Sequence, residues 1–357
     1  MAAKITHIEV LKQAITLLEH GDESQKTIAA RLLRRGGMAR YAALGAVAPD
    51  IFYFYHILSR KKNRRALAWG NRAHHEKVIE LVLAWLDMIR EDGSGARDKR
   101  LAFVLGYVCH CAVDIVTHPY IFYITGNYYA DDKAERTAAQ ENHLRVEFAL
   151  DSYLVQQRWG MSPNRYDFTQ YVDCRRPGPD GKLQLDPELW ALWVGGLQRV
   201  FPEEFAAEYV GSAEKIVKGD IVNEAYLGFM KFNRVLDTRS RLVRFLMRVV
   251  DALTFRKVKL RNLILPPRAK IDSRLPNEEH RVWKYPADPE QTSSESFIDL
   301  VHRAARASAV VMTEARDYLE GRMKRKEFEK KYAGYNLDTG VRSASLEMKE
   351  FAPIHED

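Results

Sequence analysis

Histidine and aspartate recur at four-residue intervals within one strongly apolar stretch of the chain. Residues 101–118, LAFVLGYVCHCAVDIVTH, contain His110, Asp114 and His118. On an α-helix, residues four apart lie on one face with their Cβ atoms about 5 to 6 Å apart. Ionisable groups inside a core-forming helix cost several kcal/mol unless something compensates them, and a bound cation does so most directly. The pattern therefore predicts a metal site.

A second pair with the same spacing, His143 and Glu147, lies in the segment HLRVEFALD at 143–151. The 11 histidines and 48 acidic residues of this 357-residue chain predict about 1.5 such pairs by chance, so spacing alone leaves core histidines hydrogen-bonded to carboxylates as an alternative. The apolar surroundings of both pairs favour a metal. Nitrogen and carboxylate ligands without cysteine suit zinc, with manganese or iron as the alternatives.

Apolar residues at helical spacing recur along the chain, whereas the alternation typical of strands is scarce. We therefore expect an all-α fold, and the 46% hydrophobic content is ample for a core. The predicted organisation is one multi-helix domain over residues 1–320, followed by a polar, charged tail over 321–357. Pro119 predicts the end of the 101–118 helix, which would make His118 a helix-end residue.

These residues resemble the zinc-dependent phospholipase C fold, which is shared with single-strand-specific zinc nucleases. The resemblance runs from about residue 5 to about residue 320 and depends on an ordered series of segments. These are THIEVL near the start, GAVAPD at 45–50, RAHHEK at 72–77, GYVCHCAVDIVTHPY at 106–120, HLRVEFALD at 143–151, and the later RVWKYP and SFIDLVHRAARAS.

The resemblance implies a centre of two or three zinc ions. The first ion would be bound by His74, His110 and Asp114, the second by His118, His143 and Glu147, and a third by His7 together with Asp114. Asp50 would be the carboxylate beside the metal-bridging water, and hence a catalytic residue. His75 competes with its neighbour His74 for the same role, and His74 is preferred.

The implied activity is phosphodiester hydrolysis, most directly cleavage of phospholipid headgroup esters by a zinc-activated water. Two alternatives stay open. One is a zinc nuclease or another phosphodiesterase that uses the same cluster. The other is a non-catalytic, metal-stabilised helical module, in which side chains would fill every metal coordination position.

The segment 239–270 is strongly basic. It contains ten lysines or arginines and one acidic residue, Asp251, interleaved with apolar residues, in a chain of net charge +7 and pI about 9.1. An apolar stripe beside a basic face is typical of a helix that lies on anionic lipid, so peripheral membrane contact is one interpretation. An ordinary surface helix is the second. Nucleic-acid binding is less favoured, because aromatic residues do not alternate regularly with the charges.

Sequence features also bear on the compartment. Glu9, Lys12 and Gln13 interrupt the first apolar segment, so no secretory signal is predicted, and no run approaches 18 uncharged apolar residues. The three cysteines, Cys109, Cys111 and Cys174, are expected to be reduced core thiols. The expected location is the cytoplasm, with peripheral membrane contact through 239–270. The sequence does not indicate an oligomeric state.

Overall fold

The computed structural model describes residues 4–34, 38–56, 59–92, 95–235, 239–254, 264–343 and 345–355. Within these ranges the chain is predominantly helical, which confirms the predicted all-α class. The helices are α1 (Lys4–Glu19), α2 (Glu23–Arg34), α3 (Met38–Gly45), α4 (Arg60–His75), α5 (Val78–Glu91), α6 (Arg97–Thr125), α7 (Lys133–Trp159), α8 (Thr169–Val172), α9 (Pro187–Val200), α10 (Pro202–Glu208), α11 (Ile221–Val235), α12 (Arg241–Leu253), α13 (Phe297–Leu319) and α14 (Arg325–Tyr332).

Two antiparallel hairpins accompany the helices. Strands β1 (Arg175–Pro177) and β2 (Leu183–Leu185) pair with each other, as do β3 (Trp283–Tyr285) and β4 (Asp288–Ser293). Each strand has one partner, and both hairpins pack against the helices through buried residues such as Leu185 and Trp283. The sheets are accessory features on a helical body.

Helix α6 is the central element. It is long and apolar enough to cross a membrane, yet 94% of its most apolar stretch is buried inside the protein, as expected of a core helix. Its close packing on α3 depends on glycine: a Cβ atom at Gly106 would lie 1.9 Å from the Ala42 carbonyl oxygen, and one at Gly45 would lie 2.1 Å from that of Phe103. The two backbones can therefore approach closely enough for the end of α3 to reach the side chains of α6.

Helix termini follow local capping rules. Asp132 caps α7 by accepting hydrogen bonds from the amides of Ala134 and Glu135, at 3.0 and 2.8 Å. Ser296 and Asp299 form a reciprocal capping box at the start of α13. These caps fix where α7 and α13 begin, and thereby the register of their buried faces.

The structure corrects the prediction that Pro119 ends the 101–118 helix. Helix α6 continues to Thr125 with Pro119 inside it, so His118 lies within the helix. An interior proline removes one backbone hydrogen bond. The following residues Tyr120, Ile121 and Phe122 are buried, and the Tyr120 hydroxyl donates to the Leu275 carbonyl at 2.8 Å. This packing offsets the cost of the proline.

The segment after residue 320, which the sequence predicts to be a polar, charged tail, makes specific contacts with the helical body. It contains α14, whose Phe328 is buried, and it then returns to the end of α6. There the amides of Ala352 and Ile354 donate to the carbonyls of Tyr123 and Ile124, at 2.8 and 2.9 Å. The polar composition of this segment does not indicate these contacts, because they involve few apolar side chains and backbone hydrogen bonds to α6. The described part of this segment is packed on the helical body.

Candidate metal centre

The most enclosed group of potential ligands comprises His7, His110 and Asp114, here called the inner set. His7 lies on α1 and the other two on α6, and all three side chains are buried. The Nε2 atoms of His7 and His110 lie 3.2 and 2.9 Å from the two oxygens of Asp114. The two imidazole rings stack with their centroids 4.3 Å apart. Three ligand-type side chains therefore converge in the interior.

Asp50 and His74 form a pair beside the inner set. Asp50 lies on the 3-10 turn Pro49–Phe54, and His74 lies in the last turn of α4. The Nε2 atom of His74 is 3.3 Å from Asp50 Oδ1, and both side chains are buried. Potential ligand atoms of Asp50, His74 and His110 lie within 4.8 Å of one another. His110 therefore takes part in two candidate groups.

The third group, here called the outer set, comprises His118, His143 and Glu147. Its potential ligand atoms also lie within 4.8 Å of one another, and the Nε2 atom of His143 is 3.3 Å from Glu147 Oε1. The Nε2 atom of His118 is 3.6 Å from Asp114 Oδ1, so Asp114 faces both sets. The i, i+4 spacing on α6 and α7 places these side chains on the faces that meet.

Hydrogen bonds to backbone carbonyls orient three of the rings. The Nδ1 atoms of His74, His110 and His118 lie 2.7, 3.0 and 2.9 Å from the carbonyl oxygens of Gly70, Ala46 and Leu337 respectively. A carbonyl can only accept, so each Nδ1 carries the proton and each neutral ring presents Nε2 as a lone-pair donor. This is the arrangement by which proteins orient histidine ligands.

The unsatisfied buried atoms fit a metal. The described residues offer no hydrogen-bond partner to Asp50 Oδ2, Glu147 Oε2, His110 Nε2 or either Asp114 oxygen. In its neutral form His110 would place a nitrogen lone pair 2.9 Å from a carboxylate oxygen, which is stable only with a cation or a proton between them. The remaining pairs, at 3.2 to 3.3 Å, have the separation of two atoms that share one tetrahedral ion at about 2.0 to 2.2 Å.

Electrostatics keeps the carboxylates ionised. Burial would raise the pKa of Asp114, but the neighbouring charges of His110, His118 and His7 hold it well below its usual range. Burial likewise opposes ionisation of Asp50, yet its hydrogen bond with His74 and the charge of His110 lower its pKa to about 2. Asp114 in turn raises the pKa of His110 to about 9 against the effect of burial. A positive charge at this position is therefore favourable.

A cavity of about 380 Å³ opens beside the centre. Its lining includes the whole outer set together with Asp50 and His74, but none of the inner set. Aromatic side chains of Tyr53, Phe122, Tyr128 and Tyr129 complete much of the wall. A molecule in the cavity can therefore reach the outer set and Asp50, while the inner set lies behind them.

The sequence model of the family described as zinc dependent phospholipase C matches residues 6–180. Residues 6–180 belong to the zinc-dependent phospholipase C family. All nine residues named from the sequence as ligands or as catalytic lie within the matched range. Comparison with curated proteins finds no match, and comparison with solved structures finds none either. The match supports a zinc-dependent phospholipase C-like hydrolase.

The structure brings together eight of the nine residues, although not all in the expected groups. His118, His143 and Glu147 converge as the family resemblance implies. His74, which was expected beside Asp114, lies against Asp50 instead, and His7 lies against Asp114. The ninth residue, His75, lines the same cavity but lies in none of the three ligand groups, and its Nε2 is 3.0 Å from Asp338 Oδ2. The geometry thus favours His74 over His75 as the metal ligand.

Asp338 is a site residue that sequence reasoning missed. It lines the cavity, accepts a hydrogen bond from the Tyr129 hydroxyl and lies 3.6 Å from His118 Nδ1. Burial would raise its pKa, but the hydrogen bond and charge of His75, followed by the charge of His118, lower it. It follows the family match by more than 150 residues of chain, and no motif around it indicates a ligand. Only the fold connects it with the centre.

The loop that carries Asp338 is built to fit against α6. Asn336 Oδ1 accepts hydrogen bonds from the amides of Asp338 and Thr339, at 2.9 and 3.1 Å. Gly340 has a φ of +69°, and a Cβ atom there would lie 2.6 Å from the carbonyl oxygen of Ile115. Glycine at this position therefore allows the loop to contact α6 beside His118.

Asp151 positions α1 instead of orienting a histidine directly. Its side chain is buried. It accepts hydrogen bonds from the amides of Ile5 and Thr6, at 3.1 and 2.8 Å, and from the Thr6 hydroxyl at 2.8 Å. These are the otherwise unpaired amides of the first turn of α1. Asp151 thereby fixes the turn from which His7 projects.

Proposed function

We propose that the chain is a metal-dependent phosphodiester hydrolase that cleaves phospholipid headgroup esters, with two or three zinc ions as cofactors. The observation that carries the proposal is the position of Asp114. This buried carboxylate lies between the inner and outer sets, and the outer set lines a cavity of substrate size. Such an arrangement supports metal ions close enough to act on one phosphate.

Bound zinc would supply Lewis acidity toward phosphate oxygens and would lower the pKa of a nearby water. The protein supplies the remaining functions. Asp50 is ionised at neutral pH, because its pKa is about 2, and its Oδ2 has no hydrogen-bond partner among the described residues. At the cavity wall this oxygen can accept a hydrogen bond from the attacking water and orient it toward phosphorus.

The aromatic cavity wall favours one alternative substrate class. Phe122, Tyr128 and Tyr129 lie close together, with ring centroids 5.1 to 6.3 Å apart. Aromatic faces stack on nucleic-acid bases, so a zinc nuclease acting on single strands is the second candidate. A non-catalytic metal module has less support, because five potential ligands line an open cavity instead of closing around an ion.

Elemental analysis of the purified protein, paired with two hydrolysis assays, tests the proposal. We expect bound zinc and release of the phosphorylated headgroup from phosphatidylcholine vesicles. The Asp50→Asn variant should keep the zinc held by the inner and outer sets and lose most of the turnover. Cleavage of single-stranded DNA without lipid turnover would establish the nuclease instead. Zinc with neither activity would contradict the lipid hydrolase and support the structural module.

A further inference from the structure

The outer face of α12 presents a continuous apolar stripe to solvent. Leu242, Phe245, Leu246 and Leu253 are 65%, 60%, 49% and 75% exposed. With Val249 and Val250 they follow the i, i+3, i+4, i+7, i+8, i+11 spacing of a single helix face. Large apolar side chains scattered singly are common on protein surfaces, whereas a contiguous stripe indicates an interaction site.

The opposite face of α12 packs against the rest of the protein. Met247 and Asp251 are buried, one turn apart, so the helix rests on the body through that side. Arg241 and Arg248 are exposed and fall between the packed face and the apolar stripe. The helix therefore has three faces: one anchored, one apolar and outward, and an arginine row along the edge of the apolar one.

The chain is attached to the protein body on both sides of α12. Before the helix, Arg239 forms an ion pair with Asp167 at 2.7 Å. After it, the Pro266 carbonyl accepts from Ser152, and the Arg268 amide donates to Gln156 Oε1 at 2.7 Å. Ser152 and Gln156 belong to α7, the helix that carries His143 and Glu147. The chain that follows α12 is thus attached to the helix that carries the outer set.

We infer that α12 is a docking surface for an anionic phospholipid bilayer. Charge complementarity decides the occupant. Ten lysines and arginines accompany one acidic residue over 239–270, and four of them (Arg256, Lys257, Lys259, Arg261) lie outside the described residues. Apolar side chains would enter the acyl boundary while the arginines meet lipid phosphates. A second copy of the chain would bring like charges together, and the single aromatic ring of this stripe, Phe245, is a poor platform for stacked bases.

This inference deepens the proposed function and rests on it in one respect: that the docked bilayer is also the source of substrate. Membrane binding itself needs no turnover. It is measured by cosedimentation with vesicles, whereas turnover is measured by headgroup release, so failure of either is visible without the other.

The test uses the full chain with vesicles of phosphatidylcholine alone and of an equimolar mixture with phosphatidylserine. We expect binding to the mixed vesicles that weakens with added salt. The double variant Phe245→Ser, Leu253→Ser should bind at least about tenfold more weakly, since it removes two inserted apolar side chains. Leu183→Ser, which changes an exposed leucine on β2, is the matched control and should bind like the wild type.

A charge variant gives independent evidence. Arg241→Gln with Arg248→Gln should weaken binding to mixed vesicles by about fivefold per arginine, while binding to phosphatidylcholine alone should change little. Hydrolysis of a water-soluble short-chain phosphatidylcholine should be the same in all these variants, because α12 contributes no residue to the cavity.

Three results would overturn the inference. The first is equal vesicle binding by the wild type and both double variants. The second is a wild-type dimer in analytical ultracentrifugation that the Phe245→Ser, Leu253→Ser variant converts to a monomer, since the stripe would then be a self-association surface. The third is binding to single-stranded DNA, but not to mixed vesicles, that the arginine variant abolishes.

Discussion

The inner and outer sets differ in one respect that matters for chemistry. Both use histidine and carboxylate, and both take residues from α6. The inner set, however, is sealed behind the cavity wall, whereas the outer set forms part of that wall. Enclosure suits tight retention of a metal, while access suits exchange of water and substrate. One face of α6 therefore contributes to a site suited to metal retention and, one turn further along, to a site suited to reaction with substrate.

Asp114 joins the two regions. It faces His7 and His110 on one side and His118 on the other, and the charges of these histidines hold its pKa well below its usual range. The variants below separate what each region contributes.

Replacing Asp114 should have the largest effect. Asp114→Asn removes the charge shared by both sets, so we expect zinc loss from both and a fall in hydrolysis of more than about a hundredfold. Zinc content is measured by mass spectrometry, and circular dichroism checks that the fold survives. A folded, fully metallated but inactive variant would contradict the shared role.

Glu147→Gln should separate the two regions. Glu147 contacts only the outer set, so the inner metal should stay while the outer one is lost, with a loss of activity comparable to that of Asp114→Asn. Stepwise zinc titration against a chelating dye resolves the two affinities. If Glu147→Gln and Asp114→Asn lost the same amount of zinc, the division into two sets would be wrong.

Neighbouring histidines offer a matched pair for the Asp50 side of the centre. His74→Ala should weaken zinc binding by about tenfold or more, because its Nε2 faces Asp50. His75→Ala should leave zinc binding close to wild type, since His75 pairs with Asp338. If His75→Ala weakened zinc binding more than His74→Ala does, His75 would be the metal ligand.

Asp338 should act more mildly. Asp338→Asn keeps the size of the side chain but removes the charge beside His118, so we expect zinc affinity of the outer set to fall by up to about tenfold while the inner set is unaffected. Competition with a chelating dye gives the affinities. A fall confined to the inner set would show that the loop acts in another way.

The raised pKa of Asp151 predicts that the stability of the fold depends on pH, with little change in zinc binding. Burial raises its pKa to about 7, despite the hydrogen bonds from Ile5 and Thr6. The folded state therefore holds a proton that the unfolded state releases near pH 4, so this contribution to stability is present below about pH 4 and is lost as pH rises through about 7. The stability of the wild type relative to Asp151→Asn should decrease by up to about 4 kcal/mol across that range.

Urea unfolding of the two proteins at several pH values measures this difference. Because the other titrating groups are common to both, they cancel in the comparison. A difference independent of pH would mean that Asp151 ionises normally in the folded protein.

Local patterns predicted the parts of the site that lie on single helices. The spacing of His110, Asp114 and His118 put them on one face, because helix geometry is local. The choice between His74 and His75 needed the structure, since two adjacent residues on a helix end point about 100° apart and only the partners decide which one faces the centre.

Contacts between distant segments were beyond sequence patterns. Pro119 is a reliable local signal for a helix end, yet the buried residues after it outweigh that preference. Asp338 reaches His118 only because its loop folds back on α6 at Gly340. Such packing depends on the whole fold, and a single sequence carries no local signature of it.

The zinc stoichiometry of the wild-type protein tests the central claim most directly. Protein purified without added metal and analysed by mass spectrometry should contain at least two zinc ions per chain, in keeping with the three ligand groups, two of which share His110. Zinc should remain bound after dialysis, with the inner set the last to be emptied by chelator. A chain that purifies without metal and takes up no zinc when titrated would contradict the account.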